Sequence, residues 1–183
     1  MQVVVTVQPD PLVSVDEAKV ALGESGSDRN ALIEGLIMAA QSEMDGPKGW
    51  VGISVAEQSI EVTASSFDDP VIRLPGGPIV GDIDVVYLDS SGDDQTLEAS
   101  GYVVLSDGTL SLPSGATWPA LYEQDNAVLI SYDVGIDDQG DPRIQQMKTA
   151  IIMHVRMTLD MVEPEKVRRA IESLVRSMWV PVL

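Results

Sequence analysis

His154 is the only histidine of this 183-residue chain, and the chain contains no cysteine. A Ser-His-Asp relay would have to use His154, but the sequence has no G-x-S-x-G segment, the turn that exposes a serine nucleophile in many hydrolases. Zinc sites are held mainly by Cys and His, so zinc here would have one imidazole and otherwise only carboxylates. We therefore interpret His154 as a packed or solvent-facing residue and expect no enzymatic activity, no metal site and no cofactor.

Aspartates occur in two short runs whose chemistry suits calcium. Neither run has the Asp-x-Asp-x-Asp-Gly spacing of a calcium-binding loop. Aspartate also favours turns, because its side chain accepts nearby backbone N–H groups, and we interpret both runs as turn residues. The runs are Asp89, Asp93 and Asp94, and Asp137, Asp138 and Asp141.

Charge is distributed unevenly in this acidic chain, whose net charge is −18. Residues 53–141 carry 17 acids and a single base, Arg73, whereas residues 142–183 carry 7 bases and 4 acids. An acidic surface repels the phosphate backbone of DNA, although ordinary solvation of loops explains the same acids. No apolar run approaches the ~20 residues that span a bilayer, and the N-terminus does not resemble a signal peptide. We expect a soluble protein without a membrane partner.

Helical periodicity marks both ends of the chain. Ser14 and Glu17 form a capping box for a short helix that Gly23 ends, and Ser27 or Asp28 caps the next helix. A long helix spans 141–161, with Asp141 as its cap, and Pro164 begins the last one. Their apolar faces are Ile33, Leu36, Ile37, Ala40 and Met44; Ile144, Met147, Ile151, Val155, Leu159 and Val162; and Val167, Ile171, Leu174, Val175 and Met178.

Between Ile53 and Gly140 the apolar period changes to two, which is typical of strands. Gly-rich turns separate the short segments, so an antiparallel sheet or small sandwich is favoured over a parallel one. The predicted strands are Ser59–Ala64, Val71–Leu74, Ile83–Asp89, Gln95–Glu98, Tyr102–Leu105, Leu110–Leu112 and Ala127–Val134.

These elements predict an α+β protein in which an antiparallel β module interrupts a helical domain of about four helices. The helices on either side are too short to be stable alone, so each pair needs the other to bury its apolar face. We therefore predict a discontinuous helical domain, residues 1–52 with 141–183, and an inserted β module, residues 53–140. Residues 3–7, VVVTV, are interpreted as a short strand or an extended arm.

Two features predict association with other molecules. Ile152 and Met157 lie off the main apolar face of the long helix, and a helix that is apolar on more than one side usually has more than one neighbour. The last five residues, Trp179, Val180, Pro181, Val182 and Leu183, form an apolar tail that either folds back onto the core or fills a groove on a partner.

Several short segments resemble, in the same order along the chain, the head–tail connector (adaptor) proteins of tailed phages. Val15-Asp16-Glu17-Ala18-Lys19 and Asn30–Ile37 resemble the N-terminal half of that family. Ile72-Arg73-Leu74-Pro75, Val86-Tyr87-Leu88-Asp89 and Trp118-Pro119 resemble its longer members, which carry an inserted β module. Pro142-Arg143-Ile144-Gln145-Gln146 at the start of the long helix also matches.

This resemblance implies a structural, non-enzymatic protein of a virion neck, in a phage or in a related particle such as a gene transfer agent. Such adaptors form a homo-oligomeric ring, twelve-fold in the family, beneath the portal protein. The ring extends the tunnel through which DNA passes without specific binding, and it docks the next neck or tail protein. The implied location is the head–tail junction of the virion, after synthesis in the host cytoplasm.

The resemblance also suggests roles for particular residues. Ring contacts between subunits would involve Ile152, Met157, Arg156, Arg168 and Arg169, and the tail 179–183 would dock into the portal. Asp68, Asp69, Asp82 and Asp84 would face the tunnel or its mouth, where a negative wall lets DNA pass without sticking.

Two other classes of function remain open on the sequence alone. An acidic DNA mimic that blocks a basic partner would be a monomer or dimer with carboxylates spaced like phosphates. A carbohydrate-binding β module would need exposed aromatic rings, for which Trp118 and Tyr122 are the close pair in this region.

Overall fold

A computed structural model describes residues 1–67, 71–105, 108–160 and 164–178. The strands are β1 (Gln2–Val7), β2 (Gln58–Ala64), β3 (Val71–Arg73), β4 (Ile79–Leu88), β5 (Asp94–Thr96), β6 (Val103–Val104), β7 (Thr109–Ser111) and β8 (Val128–Val134). The helices are α1 (Val15–Leu22), α2 (Asn30–Met44), α3 (Pro142–Asp160) and α4 (Pro164–Val175), with 3₁₀ turns at Ala99–Gly101 and Arg176–Met178. The predicted α+β class is confirmed.

The chain forms two compact units, and each is built from two separate stretches of sequence. Met1–Gln8 joins Glu57–Gly135 in a β unit, and Pro9–Ala56 joins the chain from Ile136 onward in a helical unit. The first eight residues therefore lie with the strands, although the sequence grouped them with the helices. The reason is pairing: β1 runs antiparallel to β2, with Val3 opposite Val62 and Val5 opposite Ile60.

The β unit contains two antiparallel sheets in the described residues. The larger has the strand order β1-β2-β8-β4-β5, and the smaller has the order β3-β7-β6. Strand alternation turns one face of β2, β4 and β8 inward, where Ile60, Val62, Val85 and Ile130 are almost fully buried. Phe67 stacks on Trp118 in the same core at 4.7 Å between ring centroids.

The chain passes between the units at three points, and at the two that bracket residues 57–135 the backbone segments approach closely. Glu57 and Gly135 flank the paired residues Gln58 and Val134, and a Cβ on Gly135 would lie 2.8 Å from the Cα of Glu57. Gly135 also has φ +146°, a conformation that residues with a side chain rarely adopt. Just inside the helical unit, the Ile136 N–H donates to the Val55 carbonyl at 3.1 Å.

The described residues of the helical unit bury the apolar faces that the spacing predicts, and Val162, predicted on the face of α3, lies outside the described residues. Ile33, Ile37 and Met44 of α2 pack with Ile151 and Val155 of α3 in one core. This core also receives Ile171, Val175 and Met178 from α4 and the turn that follows it. Residues from both ends of the sequence thus share a single apolar interior.

Local start signals are confirmed for three helices, including α4, which begins at Pro164, and wrong for one. The Ser14 hydroxyl accepts the Glu17 N–H and the Glu17 carboxylate accepts the Ser14 N–H, which is the predicted capping box. The Asp141 carboxylate accepts the Arg143 N–H at 2.8 Å at the start of α3. Neither Ser27 nor Asp28 caps α2: the Asn30 N–H donates to the Ser27 carbonyl in a turn, and α2 starts at Asn30 with Arg29 at the N-cap position and no side-chain cap.

A buried carboxylate fixes the loop that follows α2. Asp45 is 7% exposed, and it accepts backbone N–H groups from Gly46 at 3.0 Å, Val55 at 2.6 Å and Ala56 at 3.1 Å. Burial raises the pKa of Asp45 to about 6, while these three donors oppose that rise. The loop between 45 and 56 is thereby closed on itself.

We expect Asp45→Asn to lower the free energy of unfolding by roughly 1–3 kcal/mol, because a carboxamide nitrogen cannot accept the N–H that a carboxyl oxygen accepts. The difference from the wild type should shrink between about pH 4 and about pH 7. The folded pKa of about 6 lies above the reference value of 3.8, so this group's contribution is complete below pH 3.8 and is lost as the pH rises through 6.

Urea unfolding of both proteins at the two pH values measures this change. Asp125→Asn, at an exposed acid, is the control and should leave stability within about 0.5 kcal/mol at both. A difference for Asp45→Asn that grows with pH would contradict the argument.

Candidate interaction surfaces

The second apolar side of α3 lies largely within its own helical unit. Ile152 is half-buried and packs against the helical core. Met157 is also half-buried, and it lines a small cavity in the same unit. Part of the surface that the sequence assigned to a neighbouring subunit is therefore already covered by this chain.

This cavity, of about 100 Å³, joins α2, the loop after it, α3 and α4. Its lining residues are Glu43, Trp50, His154, Met157, Pro164, Glu165, Arg168 and Ile171. The Arg168 guanidinium lies 4.7 Å from the centroid of the Trp50 ring, within the range of a cation–π contact. Arg168 also approaches Glu172 at 3.6 Å.

His154 lies in this lining with one carboxylate beside it. Its Nε2 is 3.1 Å from Glu43, and its buried Nδ1 has no hydrogen-bond partner among the described protein atoms. Of the described residues around the cavity, none has a hydroxyl or thiol that this imidazole could activate. The geometry is that of a side chain linking α3 to α2, and it supplies no nucleophile.

Two further basic residues of α3 also bind within the chain. Arg156 donates to the carbonyl of Ala21 at 2.7 Å, which satisfies one of the free carbonyls at the end of α1. Lys148 pairs with Glu17 at 3.2 Å. Arg156 and Arg168, predicted to face another subunit, thus have partners here, whereas Arg169 is exposed on α4.

The outer face of the larger sheet is acidic. Asp82 and Asp84 are exposed on β4 and alternate with the buried Ile83 and Val85. In the register across the sheet, Asp84 lies opposite Ser131 of β8, which lies opposite Glu61 of β2. Asp133 lies two residues from Ser131 on the same face and accepts the Ser59 hydroxyl at 2.6 Å.

The remaining predicted positions lie outside the described residues. They are Asp68 and Asp69 of the proposed tunnel set, and the tail Trp179, Val180, Pro181, Val182 and Leu183.

Both aspartate runs act as turn acceptors where they are described. Asp89 accepts N–H groups from Ser91 and Asp93, which lowers the pKa of its carboxyl. Asp138 accepts the Gly140 N–H at 2.9 Å. Over the described ranges, no group of three or more His, Asp or Glu side chains is arranged to hold a metal ion.

In the described helices, no segment has the length and apolar character needed to cross a bilayer.

The two aromatic residues considered for carbohydrate binding are not arranged as a platform. Trp118 is half-buried and stacked on Phe67 with an interplanar angle of 9°. Tyr122 is 44% exposed and lies beside the turn at Gly92. Only one of the two rings is therefore available to a sugar, and the carbohydrate-binding alternative loses its main support.

The fold is shared along its whole length with chains of gene transfer agent (GTA) particles. A chain in the neck of an empty GTA particle, solved with C6 symmetry, matches with a TM-score of 0.74 and 14% identity over 100% of this chain and 98% of that chain. A chain in the neck of a native GTA particle, solved with C12 symmetry, gives 0.72 and 13% over 100% and 98%. A chain in the virion of a native GTA particle gives 0.70 and 16% over the same shares.

No protein-family model matches the sequence, and no curated protein matches it. At 13–16% identity the likeness is one of fold. At that level it confirms the resemblance to phage-like neck proteins that the sequence motifs indicated.

The contact between Trp50 and Arg168 should be measurable as a coupling energy. We expect a double-mutant cycle of Trp50→Leu and Arg168→Met to give about 0.5–1 kcal/mol of favourable coupling, since the arginine lies over the ring in a partly exposed site. Chemical unfolding of the wild type, the two single variants and the double variant measures it.

Arg169→Met is the matched control, because Arg169 is an exposed neighbour on the same helix. Its cycle with Trp50→Leu should show coupling close to zero. Equal coupling in the two cycles would mean that the loss comes from general charge removal and not from the ring contact.

Proposed function

We propose that this chain is a structural protein of a virion neck, a head–tail connector (adaptor) in a phage or a gene transfer agent. The observation that carries the proposal is the full-length match of fold to chains in GTA necks. The proposed role is to form a ring under the portal, extend the DNA tunnel and dock the next neck or tail protein. It requires no catalysis and no cofactor.

A ring is supported by the symmetry of the particles that contain the neighbouring folds, C6 and C12. Twelve copies per ring, as in the adaptor family, are part of the proposal. The exposed Arg156, Arg168 and Arg169 and the half-buried Ile152 and Met157 are the proposed helical contacts between subunits. The tail 179–183 is proposed to dock into the portal because it is apolar and follows a helix.

The acidic outer face of the larger sheet suits passage of DNA. Asp84, Glu61 and Asp133 share this face, and the exposed Asp82 lies beside them on β4, within the irregularity between Val80 and Ile83. The sequence from 53 to 141 contains only one base, Arg73. DNA-binding surfaces are basic because they replace the counterions of the phosphates. A wall of carboxylates does the opposite, so DNA moving past it is not retained.

The role predicts a ring that depends on the portal. We expect the chain mixed with portal protein of the same particle to form a complex of ring symmetry, measured by native mass spectrometry and negative-stain images. Deletion of residues 179–183 should weaken portal binding without a change in the thermal midpoint of the isolated chain, if the tail docks outside its own core.

A stable monomer that does not bind portal protein would contradict the neck role. Tight binding of that monomer to a basic nucleic-acid-binding protein would instead favour the acidic DNA mimic. A fall in the thermal midpoint on truncation would place the tail in the protein's own core.

Charge reversal on the sheet should turn a non-binding wall into a binding one. We expect the ring with Asp82→Lys and Asp84→Lys to retain duplex DNA at low salt, with about 1 kcal/mol gained per reversed charge and a loss of binding as salt increases. Filter binding or fluorescence anisotropy measures the change against the wild-type ring.

The control carries the same change of charge elsewhere in the β unit, at the exposed Glu123 and Asp125. The Glu123→Lys, Asp125→Lys ring should bind DNA less than the sheet variant. Tight binding of duplex DNA by the wild-type ring at low salt would contradict the proposal that these acids face the tunnel.

A further inference from the structure

β1 is an edge strand without the usual protection against further pairing. It pairs with β2 on one side and ends the order of the larger sheet, so its other edge has no partner within the described chain. Its sequence, Gln-Val-Val-Val-Thr-Val, contains no charge and no proline. Val4 is 43% exposed and Val7 57%. Native proteins usually protect such edges with lysine, proline or short length, because an open apolar edge accepts another strand.

β6 is a second edge without charge or proline, although it is only two residues long. It ends the order of the smaller sheet, with β7 on its other side. Val103, Val104 and the following Leu105 are 44%, 42% and 45% exposed. The Leu105 N–H donates to Thr109, and Val104 lies opposite Leu110. By the alternation of an antiparallel ladder, Val104 then directs its own N–H and C=O away from β7.

The other two sheet edges are different. β5 is three residues long, begins with Asp94 and is exposed throughout. β3 is also three residues long and contains Arg73, the single base of this region. Each therefore carries a charge, which discourages strand addition, whereas β6, although only two residues long, carries none.

The charge of the β unit restricts where two copies can meet. Residues 57–135 contain 14 acids and one base, so most of its faces repel an identical unit. β1 and β6 are the described edge strands that lack charge. They are also different from each other, which a ring requires, because a head-to-tail contact joins two unlike surfaces of the same chain.

We propose that β1 of one subunit pairs with β6 of the next subunit, so that the β units of neighbouring copies are joined by backbone hydrogen bonds. The proposal rests on the ring suggested above and identifies the surfaces that close it. The occupant of the open β1 edge is thus a second copy of this chain, and the exposed Val4 and Val7 of β1 and Val103 and Val104 of β6 contribute apolar contact.

The absence of native cysteine allows a clean cross-linking test. One preparation carries Val4→Cys. Three others carry Val103→Cys, Val104→Cys or Leu105→Cys, which together cover the registers that place a β6 side chain opposite position 4. Paired strands bring Cβ atoms to ~4.5–5.5 Å, close enough for a disulfide after small adjustment. Each variant is first shown to unfold at the wild-type thermal midpoint in reducing buffer.

Mixing the Val4→Cys chain with each β6 variant, with and without portal protein, and then oxidising should shift at least one pair from 19.6 kDa to about twice that mass on a non-reducing gel. Val4→Cys mixed with Asp94→Cys, on the charged β5 edge, is the control and should stay monomeric. The Val4→Cys chain alone should also stay monomeric.

The outcomes separate the pairing from the neck role. A portal-dependent ring without any β1–β6 cross-link overturns the pairing and leaves the neck role intact, as does a cross-link of Val4→Cys with itself. A β1–β6 cross-link in assemblies that ignore the portal supports the pairing and contradicts the neck role. Chains that associate under neither condition contradict both.

Discussion

The helical unit depends on one constraint: the two ends of the sequence bury their apolar faces only against each other. α2 supplies Ile33, Ile37 and Met44, and α3 supplies Ile151 and Val155, more than 100 residues later. Helices of this length are marginal in isolation, so most of their stability comes from this shared interior. The β unit between them must therefore return the chain close to the point where it left. Asp45, bonded to the N–H groups of Val55 and Ala56, fixes that point on the outgoing side.

Period and local chemistry were sufficient to predict most of the elements. The apolar spacing of α2, α3 and α4 located their buried faces because a helix repeats every 3.6 residues whatever it packs against. The alternation around Ile60, Val85 and Ile130 located strands because successive side chains of a strand point to opposite faces of the sheet. The predicted N-cap of α2 was wrong because several residues in the same place suit a cap. Ser27 and Asp28 both do so, but a turn closed by the Asn30 N–H places the start of α2 beyond them.

Partners distant in sequence were beyond such reasoning. Arg168 was proposed as a subunit contact on the family resemblance, and its contact with Trp50 could not be read from the sequence because only the packing of α4 onto the loop after α2 brings the two together. Arg156 binds the end of α1 in the same way. The sheet register likewise placed Glu61 and Asp133 on the face of Asp84, a grouping that spans 72 residues from Glu61 to Asp133. For the candidate surfaces, the sequence supplied the residue types but not their neighbours.

The crossing between the two units has a consequence for how such a chain evolves and how it can be re-engineered. Val55 and Ile136 are joined by a backbone hydrogen bond of 3.1 Å, and Glu57 and Gly135 are in contact immediately beyond them. A segment whose two ends meet so closely can be exchanged for a tight reverse turn, or for an unrelated module with adjacent termini, at little loop-closure cost. Such an exchange would leave the two halves of the helical unit joined, and it would also remove β2, the strand with which β1 pairs.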